Sequence, residues 1–193
     1  MSMKRRWLVL PLAVLATGCG YNRIQTLDET ASSAQSQIEV QLQRRADLIP
    51  NLVSTVKGYA QHEEAVFDNV AQARSRLLTA VQSKDPEQMA NANQQMTGAL
   101  GRLLAISESY PNLKADKSFL NLQDELAGTE NRIAVARSDY NDAVRAYNAY
   151  IRRFPAVLTA KVTGATARKY YQATEQANVV PKVDFSNPAD TGR

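Results

Sequence analysis

Phe119–Pro155, FLNLQDELAGTENRIAVARSDYNDAVRAYNAYIRRFP, decides how this chain is built. Its large apolar residues Phe119, Leu126, Ile133, Tyr140, Tyr147 and Phe154 recur at a spacing of seven. Seven residues are close to two helical turns, so a repeat sustained this long is one seam of a helix laid against neighbouring helices. No glycine-rich phosphate loop, metal-ligand cluster or nucleophile motif interrupts it. The fold class that follows is all-α, an elongated bundle of helices.

Upstream, apolar or small residues recur at Ile24, Leu27, Ala31, Ala34, Ile38 and Leu42, then at Ile49, Leu52, Val56, Tyr59, Val66, Val70, Ala73 and Leu77. Asn22 with Gln25 makes a candidate capping pair at the start. Pro50 removes one helical donor and crowds the carbonyl of Ala46. The heptad phase is nevertheless the same on both sides of it (Leu42, Ile49, Val56, then Val70 and Leu77). That predicts one long, Pro-kinked first helix of roughly 60 residues and roughly 90 Å. Ser83-Lys84 ends it. Asp85-Pro86-Glu87-Gln88 then supplies a capping aspartate, proline at the first helical position and glutamine at the third. Met89, Met96, Leu103 and Tyr110 seam the next helix, Pro111 ends it, and Asn112–Ser118 reads as a polar turn. Beyond the central helix, Gly164 marks a break and Ala165–Ala177 is a candidate short helix. Val179–Pro181 and Val183–Phe185 read as extended.

Residues 1–18 read as a lipoprotein-type signal peptide, 19–185 as one helical bundle domain and 186–193 as a disordered tail. Lys4, Arg5 and Arg6 form a basic n-region before a short apolar run, Trp7–Ala16, which falls below the roughly 20 residues needed to span a bilayer. The leader closes on LATGC, which resembles the lipobox of bacterial lipoproteins, with cleavage after Gly18 and a lipid on Cys19. Ala16 stands where leucine is commonest in that pattern. Gly20 follows the cysteine, where aspartate is the familiar inner-membrane retention signal, so the outer membrane is favoured over the inner in a two-membrane host. The formal net charge is +4, of which the three leader cations carry most, leaving +1 for the mature chain. Nucleic acid is therefore not an expected partner. Cys19 is the sole cysteine, so the mature domain has no internal disulfide.

Two blocks carry a family resemblance. QLQRRADLIPNLVSTVKGYAQHE (Gln41–Glu63) and TENRIAVARSDYNDAVRAYNAYIRRFP (Thr129–Pro155) closely resemble the signatures of the LemA family. The resemblance implies a bacterial envelope protein with an antiparallel helical bundle held on a membrane outside the cytoplasm, with no enzyme activity or cofactor. Many members keep a spanning N-terminal helix, and here Cys19 substitutes a lipid anchor for it. The family-motif positions are Arg44, Arg45, Asp47, Leu48, Pro50, Asn51 and Tyr59 in the first block. In the second they are Glu130, Asn131, Arg137, Tyr140, Asn141, Tyr147, Asn148, Phe154 and Pro155. Their expected roles are structural or at an interface.

Little else points to chemistry. His62 is the sole histidine, and Glu63 and Glu64 beside it point in different directions on a helix, so a solvated surface residue outweighs a metal ligand. Asp124, Glu125, Asp139 and Asp142 have the spacing of a solvated helix face rather than of paired catalytic acids. The tyrosines read as core with hydroxyls bonded at its edge, ahead of an aromatic ligand site. Arg45, Asp47 and Asn51 are expected to meet Glu130, Arg137 and Asn141 across the seam, either as a surface ladder or as a partly buried network that fixes register. The leading functional reading is a membrane-anchored, non-enzymatic scaffold or interaction protein whose partners are other envelope proteins. A sensor for a small molecule or peptide in an inter-helix groove is the alternative, and an unrecognised envelope enzyme the third. Self-association is left open.

Overall fold

A computed structural model describes residues 4–173, with side chains described from Gly20 onward. The helices run α1 (Lys4–Lys57), α2 (Glu64–Ser83), α3 (Pro86–Ser107), the single turn α4 (Pro111–Lys114), α5 (Lys117–Ile151) and α6 (Ala156–Thr163). No strand occurs among the described residues, and the fold is all-α. Cross-helix bonds fix the directions. Arg132 Nε donates to Gln41 Oε1 at 3.1 Å and the Tyr59 hydroxyl reaches Asp116 at 3.0 Å, so α5 descends as α1 rises. The Gln35 amide reaches the Lys84 carbonyl at 2.8 Å, and Arg76 reaches Gln95 at 3.0 Å. Thus α2 runs back along α1, and α3 returns beside α2.

The seam residues do what their spacing requires as far as α5 extends. Phe119, Leu126, Ile133, Tyr140 and Tyr147 are all buried, against Leu42, Ile49, Leu52, Val56, Leu77, Met89, Met96 and Leu103 or a smaller cluster with Ile24. Phe154 departs from the pattern. Helix α5 stops at Ile151, and Phe154 lies past its end with 81% of its surface exposed.

Pro50 lies inside α1 without breaking it. Proline has no N–H to give the carbonyl four residues back, and that carbonyl, on fully buried Ala46, instead accepts Arg74 Nε of α2 at 2.8 Å. The expected rod of roughly 60 residues breaks elsewhere, across Gly58–Glu63. Here the Val56 carbonyl accepts both Tyr59 N and Ala60 N, at 3.0 and 2.9 Å. Val56, Ala60 and Phe67 stay buried through the reversal. The shared phase of Val56 and Val70 arises because two antiparallel helices bury into one core. Nor does Asn22 cap a helix: it is internal to α1, and its carbonyl accepts Thr26 Oγ1 at 2.9 Å.

The Asp85 cap forms as its residue types require, accepting from Glu87 N at 2.9 Å and Gln88 N at 3.4 Å with Pro86 at the first helical position. Asp116 does the same for α5, from Ser118 N and Phe119 N at 2.8 and 3.0 Å.

The chain after α5 differs from expectation. The helix lies before Gly164 rather than after it, and Gly164 ends it at φ 72, a left-handed conformation that favours glycine. Residues 165–170 are non-helical and run as a strap back along α1 and α5. Side chains of α5 take the N–H and carbonyl of Arg168 and the carbonyl of Lys169, groups that a helix would need for its own ladder. Residues 174–193, with the extended segments and tail expected there, lie outside the described residues.

Candidate functional site

Three arrangements collect the polar side chains. In the first, Arg45 of α1 is buried, with 4% of its surface exposed, and donates to Asn93 Oδ1 at 2.7 Å, Thr97 Oγ1 at 3.1 Å and the carboxylate of Glu130. Desolvation draws its pKa below the ordinary arginine value, and the Glu130 charge pulls the other way. Its Nε is buried without a hydrogen-bond partner among the described residues. The arrangement joins α1, α3 and α5, and it reads register. A slip of seven along α5 would replace Glu130 by Gln123 or by Arg137, leaving a buried cation unneutralised or facing another.

Not all the residues expected here arrive. Asp47 is exposed and bonded to Gln43 at 2.9 Å, and Asn51 is exposed, with only its carbonyl accepting Thr55 Oγ1. Arg44, Pro50 and Arg137 are exposed as well, and Leu48 is half-buried against the core.

The second arrangement holds the strap. Asn148 donates to the Arg168 carbonyl and accepts Arg168 N, at 2.9 and 2.8 Å. Asn141 repeats this with Tyr171, at 3.3 and 2.9 Å. Between them the Tyr140 hydroxyl donates to the Lys169 carbonyl at 2.8 Å. Arg168 reaches Asp28 Oδ1 at 2.7 Å and Ser32 Oγ at 2.6 Å, its guanidinium 5.9 Å from the centre of the Tyr147 ring. The Asp28 bond raises the Arg168 pKa further. Lys169 pairs with Asp85 at 2.8 Å, tying the strap to the α2–α3 turn. Buried Tyr171 reaches the Met89 carbonyl at 3.4 Å, and desolvation drives its phenol far above the ordinary tyrosine range. Asn141, expected to meet Arg45 across the seam, instead holds Tyr171. Sequence reasoning singled out Asn148 as a family-motif position and missed Arg168, Lys169 and Asp28, which became legible only once the strap was seen to be extended.

The third is an open groove of about 1110 Å³ lined only by α1 and α5, from Gln25 to Gln41 and from Asn131 to Asp139. Gln41 and Arg132 bridge it near one end, and Thr26 and Thr30 turn their hydroxyls back to their own helix. Its lining residues are mostly polar or small, but the surface they present to the groove is more apolar than polar, with Val135 exposed. Asp139 borders it, while Asp124, Glu125 and Asp142 are exposed elsewhere and do not converge on it. His62 is exposed in the α1–α2 turn, and no group of three or more His, Cys, Asp or Glu able to hold a metal occurs among the described residues. Phe154 and Pro155 lie at the α5–α6 corner, both exposed. Gly18 and Cys19 lie outside the residues whose side chains are described. Among the described residues no helix is long and apolar enough to cross a membrane.

The model of the LemA family matches residues 34–185, which include the buried arginine, both strap-holding asparagines and the strap itself. The chain belongs to the LemA family. Magnetosome protein MamQ 2 of Paramagnetospirillum magneticum is 28% identical over 175 residues, covering 79% of this chain and 64% of its own. MamQ of Magnetospirillum gryphiswaldense is 28% identical over 174 residues, with 78% and 64% covered. Protein LemA of Metamycoplasma hominis is 26% identical over 167 residues, with 84% and 72% covered. The chain thus spans 64% of the length of these MamQ relatives. The family match covers the Arg45 arrangement and the strap with the asparagines that hold it, whereas Asp28, Ser32 and the groove wall from Gln25 to Ser33 precede it.

Proposed function

We infer that this protein is a lipid-anchored scaffold of the bacterial envelope, held at the membrane through Cys19 and acting by binding or spacing other envelope proteins rather than by catalysis. The observation that carries this is how the convergent polar groups are used. Arg45 with Glu130, Asn93 and Thr97, and the asparagines with the strap, are bonded to one another as joints between helices. Such groups fix a shape and leave no acid, base or nucleophile aimed at a substrate. What remains accessible is the long α1–α5 face, suited to a partner. Relatives named for the magnetosome in two genera and for the family in a third fit a scaffold that serves different assemblies. The leader before Cys19 supports the lipid anchor, and Gly20 after it supports the outer membrane in a two-membrane host.

Photo-crosslinking in cells from a residue placed at Val135, with a matched site on exposed Gln72 of α2 as control, tests the scaffold. Discrete protein adducts at Val135 alone are expected; none at either site would refute it. Intact-mass analysis of the membrane fraction tests the anchor, which fails if Cys19→Ser leaves processing and attachment unchanged. The volume of the groove favours one alternative, a small molecule or peptide bound between α1 and α5. Adducts of low mass at Val135 would select it.

A further inference from the structure

Single exposed apolar side chains are ordinary, but a cluster of them marks a contact surface. At the α5–α6 corner Phe154 is 81% exposed, Leu158 55% and Val162 88%, at intervals of four. On α6 the opposite side is spent, with Ala156 and Ala160 buried against the bundle. This eight-residue helix is therefore two-faced, with its larger apolar side chains turned outward. Its charge is one-sided as well. Between Asp142 and Glu175 the chain carries no carboxylate, while Arg152, Arg153 and Lys161 lie exposed around the apolar residues.

The place of this corner in the fold names its occupant. A Cβ on Gly20 would stand 3.2 Å from Thr159 Oγ1 of α6, and Ala160 packs with Ile24, Tyr147 and Ile151 in a small cluster of their own. Helix α6 thus lies against the residue that directly follows Cys19. Exposed Tyr21 and Arg23 lie within one turn of Gly20 and add an aromatic and a further cation.

We propose that the α5–α6 corner is a membrane-docking element in which Phe154, Leu158 and Val162 enter the headgroup–acyl boundary of an anionic phospholipid surface while Arg152, Arg153 and Lys161 pair with its phosphates. The proposal rests on the membrane-anchored reading above and adds to it a second contact. A lipobox cysteine carries a diacylglycerol, whose two acyl chains suffice for stable attachment. The corner serves orientation. An anchor at Cys19 alone leaves the bundle free to swivel, whereas α6 on the surface would fix how the α1–α5 face is presented.

The test uses the full chain on vesicles of phosphatidylethanolamine and phosphatidylglycerol, with Trp7, the sole tryptophan, replaced by phenylalanine. In that background Leu158→Trp places a single indole at the corner, and Val135→Trp places one on the α1–α5 face. Side chains of an interfacial helix sit about 5–10 Å into the boundary, so lipids brominated near the headgroup end of the chain should remove at least about half of the corner indole's emission and leave the face indole unaffected. Flotation reports attachment separately. A chain that floats with its corner indole unquenched overturns the docking and leaves the anchor standing. A chain that no longer floats after Cys19→Ser but keeps corner quenching on added vesicles supports both contacts. One lacking any anchor yet still quenched at the corner supports the docking and overturns the anchor. Equal quenching at both positions, or a blue-shifted corner indole indifferent to bromine because a second copy covers it, overturns the proposal. Undiminished quenching on phosphatidylcholine alone overturns its charge-selective part.

Discussion

Pro50 and Arg74 should be energetically coupled although they are not in sequence proximity and touch different atoms. The Ala46 carbonyl would ordinarily accept the N–H of residue 50, which proline lacks, and its partner is Arg74 Nε at 2.8 Å. Ala46 is fully buried, so removing Arg74 leaves a buried acceptor unpaired, a cost of about 1–3 kcal/mol. Arg74→Met, which keeps the apolar stem, should therefore destabilise the wild-type chain by about 2 kcal/mol. For a domain of this size that lowers Tm by about 4–8 °C. Pro50→Ala restores the missing donor inside α1, so the same Arg74→Met change in that background should cost only about 0.5 kcal/mol, the scale of a surface substitution. The coupling is thus about 1.5 kcal/mol by this reasoning. Urea unfolding of the four chains, followed by circular dichroism, measures it. An equal cost of Arg74→Met in both backgrounds would refute the idea that the side chain replaces the absent proline donor.

Other consequences follow from the same bonds. Glu130→Ala strands the Arg45 cation, but Glu130 is half exposed and water can enter behind it, so about 2 kcal/mol is expected rather than the roughly 3–5 of a fully buried pair; coupling near zero in a cycle with Arg45→Met would make the pair a mere surface contact. Asn148→Ala should release the strap before it unfolds the bundle, seen as faster hydrogen exchange over residues 165–173 with α2 and α3 unchanged; exchange that rises uniformly would contradict this. Asp85 is held below the ordinary aspartate value of 3.8 first by Lys169 and then by the N–H groups of Glu87 and Gln88, and Asp116 by the Phe119 N–H and then the Tyr59 hydroxyl. Stability from a lowered carboxylate is complete above 3.8 and lost as pH falls through the folded-state value. The deficits of Asp85→Asn and Asp116→Asn at neutral pH should accordingly shrink towards zero in acid, and a deficit independent of pH would show that the charge contributes nothing.

The helices were legible where burial and local chemistry agreed. The α5 seam from Phe119 to Tyr147 and the Asp85-Pro86 cap state both period and boundary, and each appears where its residues place it. The α1–α2 turn was illegible for a physical reason. Periodicity reports which residues face the core and is blind to a chain that reverses while its apolar residues stay buried, as Val56, Ala60 and Phe67 do. Pro50 was read correctly as lying within a helix, from the unbroken heptad phase, but the donor that offsets its cost comes from Arg74 of another helix and was not legible. Phe154 shows the opposite failure, since it continues the heptad arithmetic beyond the end of the helix that gives the arithmetic meaning. At the register site Arg45 and Glu130 meet, but Asp47 and Asn51 lie on another side of α1, a distinction that residue type alone does not carry.

The strap was the hardest part to read, because its determinants are split between two segments. Asn141 and Asn148 are seven residues apart on a helix, about 10.5 Å at 1.5 Å per residue. The residues they grip, Arg168 and Tyr171, are three apart in an extended chain, about 9–10 Å at 3.1–3.3 Å per residue. Two side-chain amides at heptad spacing are thus a ruler for every third residue of an extended segment, each satisfying one N–H and one carbonyl. The asparagines stand out in the sequence; the segment they measure does not, since ATARKYYQA has no alternating pattern and its backbone bonds depend on α5. Once gripped, the strap links two distant places. It leaves α6 beside Gly20 and ends with Lys169 on Asp85 at the α2–α3 turn. A force that lifts α6 from its seat must therefore draw on the α2–α3 turn through Asn148, Tyr140 and Asn141. The corner beside Gly20 is by this route mechanically continuous with the far hairpin, which a bundle joined by loops alone would not provide.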